Sequence, residues 1–226
     1  MFIRRQFKTR DVTNLKQRLT DTWNGLLQII EKLVHKRLTT YLSDHNVLYK
    51  YQFGFRSHHD TTLAVIEMID RISVAVDSKQ YSLGIFIDLS KAFDSINQQI
   101  LLDKLQHYCI HGIAHDWFAS YLNSRQQFVD INGHKSLAMK ISYGVPQGSS
   151  LGPLLFLIFA NDVADVSKLL HFILFADDTN IFLSDSNFNT LIDTANNELI
   201  LLTNWFQAIC LTVDLNKSNL IVFLFP

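Results

Sequence analysis

Three carboxylates stand out against apolar sequence. Asp88 closes the run YSLGIFIDL (81–89), and Asp177-Asp178 interrupt HFILFADDTNIFLS (171–184). Neighbouring carboxylates repel one another and are poorly solvated beside apolar strands, so such a set calls for a cation. Oxygen donors suit the hard ions Mg2+ or Mn2+ better than zinc. Two carboxylate-held ions about 3.5–4 Å apart serve in-line phosphoryl transfer, one activating the attacking oxygen and one steadying the leaving oxygen. In isolation, an Asp-Asp pair between two apolar runs is more simply a polar hairpin turn, so the chemistry depends on context.

The elements around these residues follow from periodicity. Residues 81–89 form a short, proline-free, Ile- and Phe-containing run, as expected of a strand buried on both faces. Phe172–Ala176 and Asn180–Leu183 have strand character, which makes a hairpin with both aspartates at its tip. An amphipathic helix is predicted over Leu26–Leu42, burying Leu27, Ile30, Val34, Leu38 and Tyr41 and leaving Glu31, Lys32, His35 and Lys36 on the other face. Asp60 is a plausible N-cap for a second helix, ended by Asp77–Gln80. Further helices are expected with Ile96, Ile100, Leu101, Leu105 and Tyr108 buried, over Pro153–Val163, and with Leu191, Ala195, Leu199, Leu202, Phe206 and Ile209 on one face. Strands Gln126–Ile131 and Leu137–Ile141 flank the Asn132-Gly133 turn signal, and LTVDLNKSNLIVFLFP reads as two short strand-like runs around Asn216-Lys217-Ser218. Residues 1–25 are basic and weakly periodic and predict no defined element.

Composition bounds the class. The 226 residues carry 20 Lys+Arg, 21 Asp+Glu and 48% hydrophobic residues, enough apolar side chain for a packed core and too little excess charge for a polybasic nucleic-acid binder. A nucleic-acid site must therefore arise from local arrangement. Two cysteines, Cys109 and Cys210, exclude a disulfide framework and fit a reducing, intracellular setting, nucleus or cytoplasm. The apolar run Leu151–Ala160 contains Gly152 and Pro153 and is too short to span a membrane, and the N-terminus lacks the apolar core of a signal peptide. His107, His111 and His115 have helical metal-site spacing, but Gly112 argues against one continuous helix, so exposed histidines are expected. The sequon at Asn216 lacks a secretory route.

Three segments in fixed order supply the missing context: FIDLSKAFDSI (86–96), YGVPQGSSLGPLLF (143–156) and FADDTNIF (175–182). Together they resemble reverse transcriptases, most closely those of non-LTR (LINE-type) retrotransposons. EKLVHKRL, QFGFR, ASYLNSRQQFVDING and LTVDLNKSN extend the resemblance from about Leu26 to Phe225.

The resemblance implies an α+β fold, a right-hand polymerase palm of antiparallel sheet with helices around 95–108 and 187–209 behind it. A largely helical fingers region would be interleaved with it. After a poorly determined segment at 1–25, fingers fall at about 26–80 and 106–145 and palm at about 81–105 and 146–226. It implies RNA-directed DNA polymerisation, with two Mg2+ ions (Mn2+ as the alternative), dNTPs, and an RNA template carrying a DNA or RNA primer. Asp88, Asp177 and Asp178 become catalytic, metal-holding residues, with Leu89 offering its backbone carbonyl to the nucleotide-side ion. Phe93 falls at the steric-gate position against a ribose 2′-OH, and core packing is the competing reading for it. Asp94 supports the structure. Gln147 and Gly148 join Phe93 on the nucleotide, Gly144 and Pro146 lie by the template, and Lys217 stands near the triphosphate as a candidate proton donor. Arg56 is placed on template or triphosphate.

The sequence departs from the family in places. Thr20–Leu27 lacks the usual Arg-Pro-Ile-Ser-like stretch, and Ser57-His58-His59-Asp60 replaces a basic segment where template backbone would run. With no thumb, endonuclease or Cys/His knuckle segment expected in it, the chain reads as a fingers–palm piece of a longer polyprotein that could supply them. Two alternatives stay open: an inactive retroelement remnant or co-opted nucleic-acid- or protein-binding domain, and an RNA-templated RNA polymerase, which Phe93 disfavours.

Overall fold

The computed structural model describes residues 9–123, 125–146 and 148–224, with side chains from Gly25 onward. Helix α1 (Thr9–Asp44) starts well before the predicted Leu26. No proline interrupts residues 9–25, whose centre is the helix-favouring run Leu15-Lys16-Gln17-Arg18-Leu19, and extending an existing helix adds one hydrogen bond per residue fixed.

Helix α2 (Thr61–Asp77) begins where expected, with the Asp60 carboxylate accepting from the Leu63 amide at 2.9 Å. It leads into β1 (Tyr81–Ile87), then α3 (Gln98–His107), capped by Asn97, and α4 (Ile113–Asn123). The predicted hairpin around Asn132-Gly133 forms in two short rungs, β2 (Gln126–Gln127) against β5 (Met139–Lys140) and β3 (Asp130–Ile131) against β4 (His134–Lys135). Asn132 and Gly133 both have positive φ, as a two-residue primed turn requires. The registers of the two rungs differ by one residue, a bulge spanned by the Val129 amide donating to Ser136 Oγ at 2.9 Å.

Helix α5 (Gly152–Ala160) continues into a 3-10 turn at Asn161–Asp165. Strands β6 (His171–Phe175) and β7 (Asp178–Asp185) follow, then α6 (Phe188–Ala208) and β8 (Asn219–Phe223). Of the two strand-like runs near the C-terminus only the second is a strand; the first contributes a single bridge, Leu89 to Val213.

One antiparallel sheet, in the order β6-β7-β1-β8, carries the fold. Its side chains alternate between two cores, as strand geometry requires. Leu83, Ile85, Ile87, Phe172, Leu174 and Ile181 pack on the large cluster formed with α3, α5 and α6. Phe86, Ile173, Phe182 and Phe223 point the other way, onto Phe53 and the α2 residues Ala64, Met68 and Ile72. Helix α5 has its apolar side chains from Leu154 to Phe159 all buried, which explains its lack of a polar face.

Helix α1 departs from its predicted polarity. Leu38 and Leu42 are buried, but Leu27 and Ile30 are exposed, whereas Glu31, expected on the solvent face, is only 6% exposed. Its carboxylate accepts from Tyr121 Oη at 2.9 Å and from the Ser150 amide at 3.4 Å, and these donors make burial tolerable. His107 ends α3, Gly112 has φ +60, and α4 starts at Ile113, so the three histidines lie on no common helix. Both cysteines are free and exposed, and among the described residues no helix is long and apolar enough to cross a membrane.

Candidate active site at the junction of β1 and β7

Strands β1 and β7 pair in register from Tyr81 opposite Asp185 to Ile87 opposite Thr179. Asp88 is the next residue after β1 and Asp178 the first of β7, so the same ladder delivers both carboxylates to one end of the sheet's two central strands. Asp177 sits in the two-residue turn between Phe175 and Asp178, which face each other across β6 and β7. The other turn residue, Ala176, has φ +56, a left-handed conformation that an alanine adopts only when its surroundings impose it.

The electrostatics report the crowding. Partial burial first, and then the charges of Asp177 and Asp88, raise the pKa of Asp178 above the usual aspartate value. The ammonium of Lys217 stands 3.6 Å from Asp88 Oδ1 and 3.7 Å from Asp214 Oδ2. The backbone around Asp88 is pinned on both sides. Its carbonyl accepts from the Asp214 amide at 2.9 Å, its amide donates to Ser218 Oγ at 3.2 Å, and the Ser90 amide donates to the Thr212 carbonyl at 2.8 Å.

Among the described residues no three or more His, Cys, Asp or Glu side chains are grouped closely enough to hold a metal ion as they stand. The donors nonetheless fit a hard divalent ion: the cluster offers carboxylate oxygens, is strained by mutual repulsion at Asp178, and already draws one cation to Asp88.

Phe93 lies beyond Asp88 with its ring 4.8 Å from that of fully buried Phe156 and edge-on to Phe55 at 6.3 Å. It is therefore half-buried, with its ring packed on the core. The glycine-punctuated loop is stitched onto the turn that carries it. The Val145 amide donates to the Phe93 carbonyl at 3.1 Å, the Gly144 amide to the Ile96 carbonyl at 2.7 Å, and Gln98 Nε2 to the Gly144 carbonyl at 3.0 Å. Gly144 has φ +79, and a Cβ there would meet Asp94 O at 2.9 Å, so the close approach needs glycine. Beside this loop opens a cavity of about 630 Å3 lined by Asp94, Gln98, Arg125, Tyr143, Gly144 and Pro146 among others. Gly148 has φ +76, and Gln147 lies outside the described residues.

A reverse transcriptase (RNA-dependent DNA polymerase) family profile matches residues 10–222. The chain belongs to the reverse transcriptase family. It is 30% identical over 206 residues to a probable RNA-directed DNA polymerase from transposon BS of Drosophila melanogaster, covering 86% of this chain and 22% of that protein. It is 34% identical over 152 residues to the RNA-directed DNA polymerase from mobile element jockey of the same species, covering 65% of this chain and 16% of that protein. The chain thus spans about a fifth of the length of these relatives. Telomerase from Candida tropicalis superposes with a TM-score of 0.67 at 17% identity, over 92% of this chain and 36% of that one. Candida albicans telomerase gives 0.66 at 15% identity, over 97% and 39%. The expected polymerase palm fold is thereby borne out.

Within this reverse transcriptase chain, Asp88, Asp177, Asp178 and Lys217 come together, Leu89 follows Asp88 in a buried position, and Gly144 is bonded to the turn that carries Phe93, while Pro146 lines the cavity beside that loop. Arg56 is held differently from the rest: its Nη1 donates to the carbonyls of Tyr49 at 2.9 Å and Gln52 at 3.1 Å, bracing a turn. Sequence reasoning missed Gln52, Gln98, Asp214 and Ser218. Each meets the backbone of a residue distant in sequence or works within a loop, and a polar residue type carries no signal of such a partner.

Proposed function

We infer that this reverse transcriptase domain catalyses RNA-directed addition of dNTPs to a primer 3′-OH, as part of a non-LTR retrotransposon polymerase. The observation that carries the reading is the convergence of Asp88 with Asp177-Asp178 at the open end of β1 and β7, next to Lys217.

Asp88, Asp177 and Asp178 would hold the two magnesium ions, together with the Leu89 carbonyl. When bound, those ions supply activation of the primer hydroxyl and stabilisation of the charge developing at the α-phosphate and the leaving pyrophosphate. The chain's own residues do the rest. Strands β1 and β7 fix the carboxylates before substrate arrives, so little reorganisation accompanies the reaction. Phe93, backed by Phe156, presents an unyielding ring to the sugar and excludes a 2′-OH. Lys217 swings from Asp88 toward the triphosphate and donates a proton to departing pyrophosphate. Gly144, Pro146, Gln147 and Gly148 let backbone approach the nascent base pair, and the adjoining cavity, with Arg125 and Tyr143 on its wall, receives the template. Template sequence is read by base pairing.

The fingers would occupy about 26–80 and 106–145 and the palm about 81–105 and 146–226. Helix α2 packs on the sheet's second face, joining the first fingers stretch to the palm. In Arg56 the bracing of the 49–52 turn supports an indirect role rather than direct contact with template.

The test is incorporation of labelled dNTP on a primed RNA template with Mg2+, beside a folded Asp177→Asn control. Signal that the control lacks supports the polymerase; template binding without incorporation by the folded wild type sinks it and leaves a nucleic-acid-binding remnant.

A further inference from the structure

The sheet's outer edge beside the aspartates is not bare. The segment Tyr51–Gly54 runs along β6 as an additional, parallel partner: the Leu174 amide donates to the Tyr51 carbonyl at 2.9 Å, and the Phe53 amide to the Leu174 carbonyl at 2.7 Å. Between these bonds the side chain of Gln52, 3% exposed, reaches the turn that carries Asp177. Its Oε1 accepts from the Ala176 amide at 3.0 Å and from the Gly54 amide at 2.8 Å, while its Nε2 faces the Ala176 carbonyl at 3.4 Å. Two amide donors on one atom fix that atom as the oxygen and so fix the amide's orientation.

Gly54 closes the same clamp from outside. A Cβ on Gly54 would lie 2.2 Å from the Ala176 nitrogen and 2.8 Å from its Cα, so the two backbones meet at a distance only glycine allows. Ala176 thus has both its amide and its carbonyl met by one side chain and its flank covered by a glycine. The two-residue turn between β6 and β7 requires a positive φ at its first residue, and these contacts surround Ala176 in that conformation, at φ +56.

We propose that Gln52 is a positioning residue for catalysis: its amide grips Ala176, holds the Ala176-Asp177 turn in its strained form and thereby aims Asp177 and Asp178 at Asp88. Gln52 touches neither substrate nor metal and acts through the turn. A relaxed turn rotates the aspartates without unfolding the sheet, because β7 remains paired to β1 along its length. The kinetic part of the inference rests on the polymerase reading; the structural part does not.

The experiment compares wild type, Gln52→Ala and Gln52→Glu, each checked for native melting behaviour. Glutamate keeps an acceptor for both amides but sets an oxygen against the Ala176 carbonyl, so it serves as the partial-rescue variant. The first readout is amide exchange across 174–178, with β8 as internal reference. Exchange at the turn is expected to accelerate at least about tenfold in Gln52→Ala and less in Gln52→Glu, with β8 unchanged. The second is Mn2+ binding followed by electron paramagnetic resonance, where the midpoint rises in the same order. The third is kcat against KM for dNTP, where kcat falls about 10- to 100-fold, the cost of a misplacement near 1 Å, and KM stays within about twofold. A folded Gln52→Ala protein with wild-type turn exchange and Mn2+ midpoint overturns the proposal. Absence of incorporation by wild type counts against the polymerase reading alone, and the exchange comparison still decides the role of Gln52. Should Gln52→Ala fail to fold, Gln52→Glu carries the same comparison.

Discussion

The ammonium of Lys217 lies 3.6 Å from Asp88 Oδ1, across a sequence separation that brings the last strand's approach loop onto the end of β1. The same ammonium also meets Asp214, and the Asp214 amide in turn holds the Asp88 carbonyl. Lys217 thus pairs with Asp88, and the triphosphate role proposed for it above is a separable job.

Substitution of Lys217 separates them. Lys217→Met removes both and is expected to cost no more than about 1 kcal/mol in stability, since the pair is solvent-exposed. Its kcat should fall about 100-fold, the lower range for a lost general acid. Lys217→Arg restores the charge beside Asp88 but not the proton, because guanidinium does not deprotonate in proteins. Urea melts and single-turnover kinetics check the two halves, and an arginine variant with full kcat would remove the proton-donor role.

Divalent ions should stabilise the fold through the aspartates. With Mg2+ at about 100 times its dissociation constant, linkage adds about 2.7 kcal/mol to the wild type, which a thermal melt reads as a rise of several degrees. Asp177→Asn should lose most of this rise, and its incorporation rate should fall at least about 100-fold.

Asp178 gives a pH signature without metal. Its folded-state pKa is raised above the ordinary 3.8, by burial and by Asp177 and Asp88, so the folded state favours the protonated acid. Its ionisation therefore lowers stability as pH climbs through the aspartate range and beyond, and the penalty is full at neutral pH. Asp178→Asn should accordingly be more stable than wild type at pH 7 and indistinguishable from it near pH 3, while losing activity. Equal melting temperatures at both pH values would speak against the repulsion.

Phe93→Val should relax sugar choice. Incorporation of rNTP relative to dNTP is expected to rise about 10- to 100-fold, the scale on which a pocket's shape discriminates a small group. Because the ring is half-buried on Phe156, the exchange should cost less than the ~3–5 kcal/mol of removing a fully buried phenylalanine. Competition between the two sugars on one template gives the ratio directly, and an unchanged ratio in a folded variant assigns Phe93 to packing alone.

Glu31 tests the link between α1 and the loop that follows Gly148. Glu31→Leu leaves Tyr121 Oη and the Ser150 amide without their acceptor and should destabilise by about 1–3 kcal/mol, with faster exchange at Ser150; Glu31→Gln should recover most of it.

The contrast between these residues explains what the sequence could reveal. Asp88 and Asp177-Asp178 were legible because charges set against apolar runs stand out and the three ordered segments around them resemble reverse transcriptases; the Asp-Asp pair alone reads more simply as a polar turn. Asp60 and Asn132-Gly133 were legible because caps and primed turns are made by local chemistry. Glu31 was misplaced because helical periodicity finds the apolar stripe but not a polar partner arriving from Tyr121, 90 residues on. Gln52 was invisible for the same reason: its partner, Ala176, is 124 residues away, and nothing in QFGFR announces it.

Strand order has a consequence for synthesis of the molecule. Strand β1 is translated about 90 residues before β7, and at ~5–20 residues per second that is a wait of roughly 5–20 s. Through that interval YSLGIFI, uncharged and free of proline, has neither of its neighbours, the kind of segment that seeks strands from other chains. The central position that stiffens Asp88 in the finished protein thus leaves both edges of β1 open in the nascent chain until β7 and β8 are made.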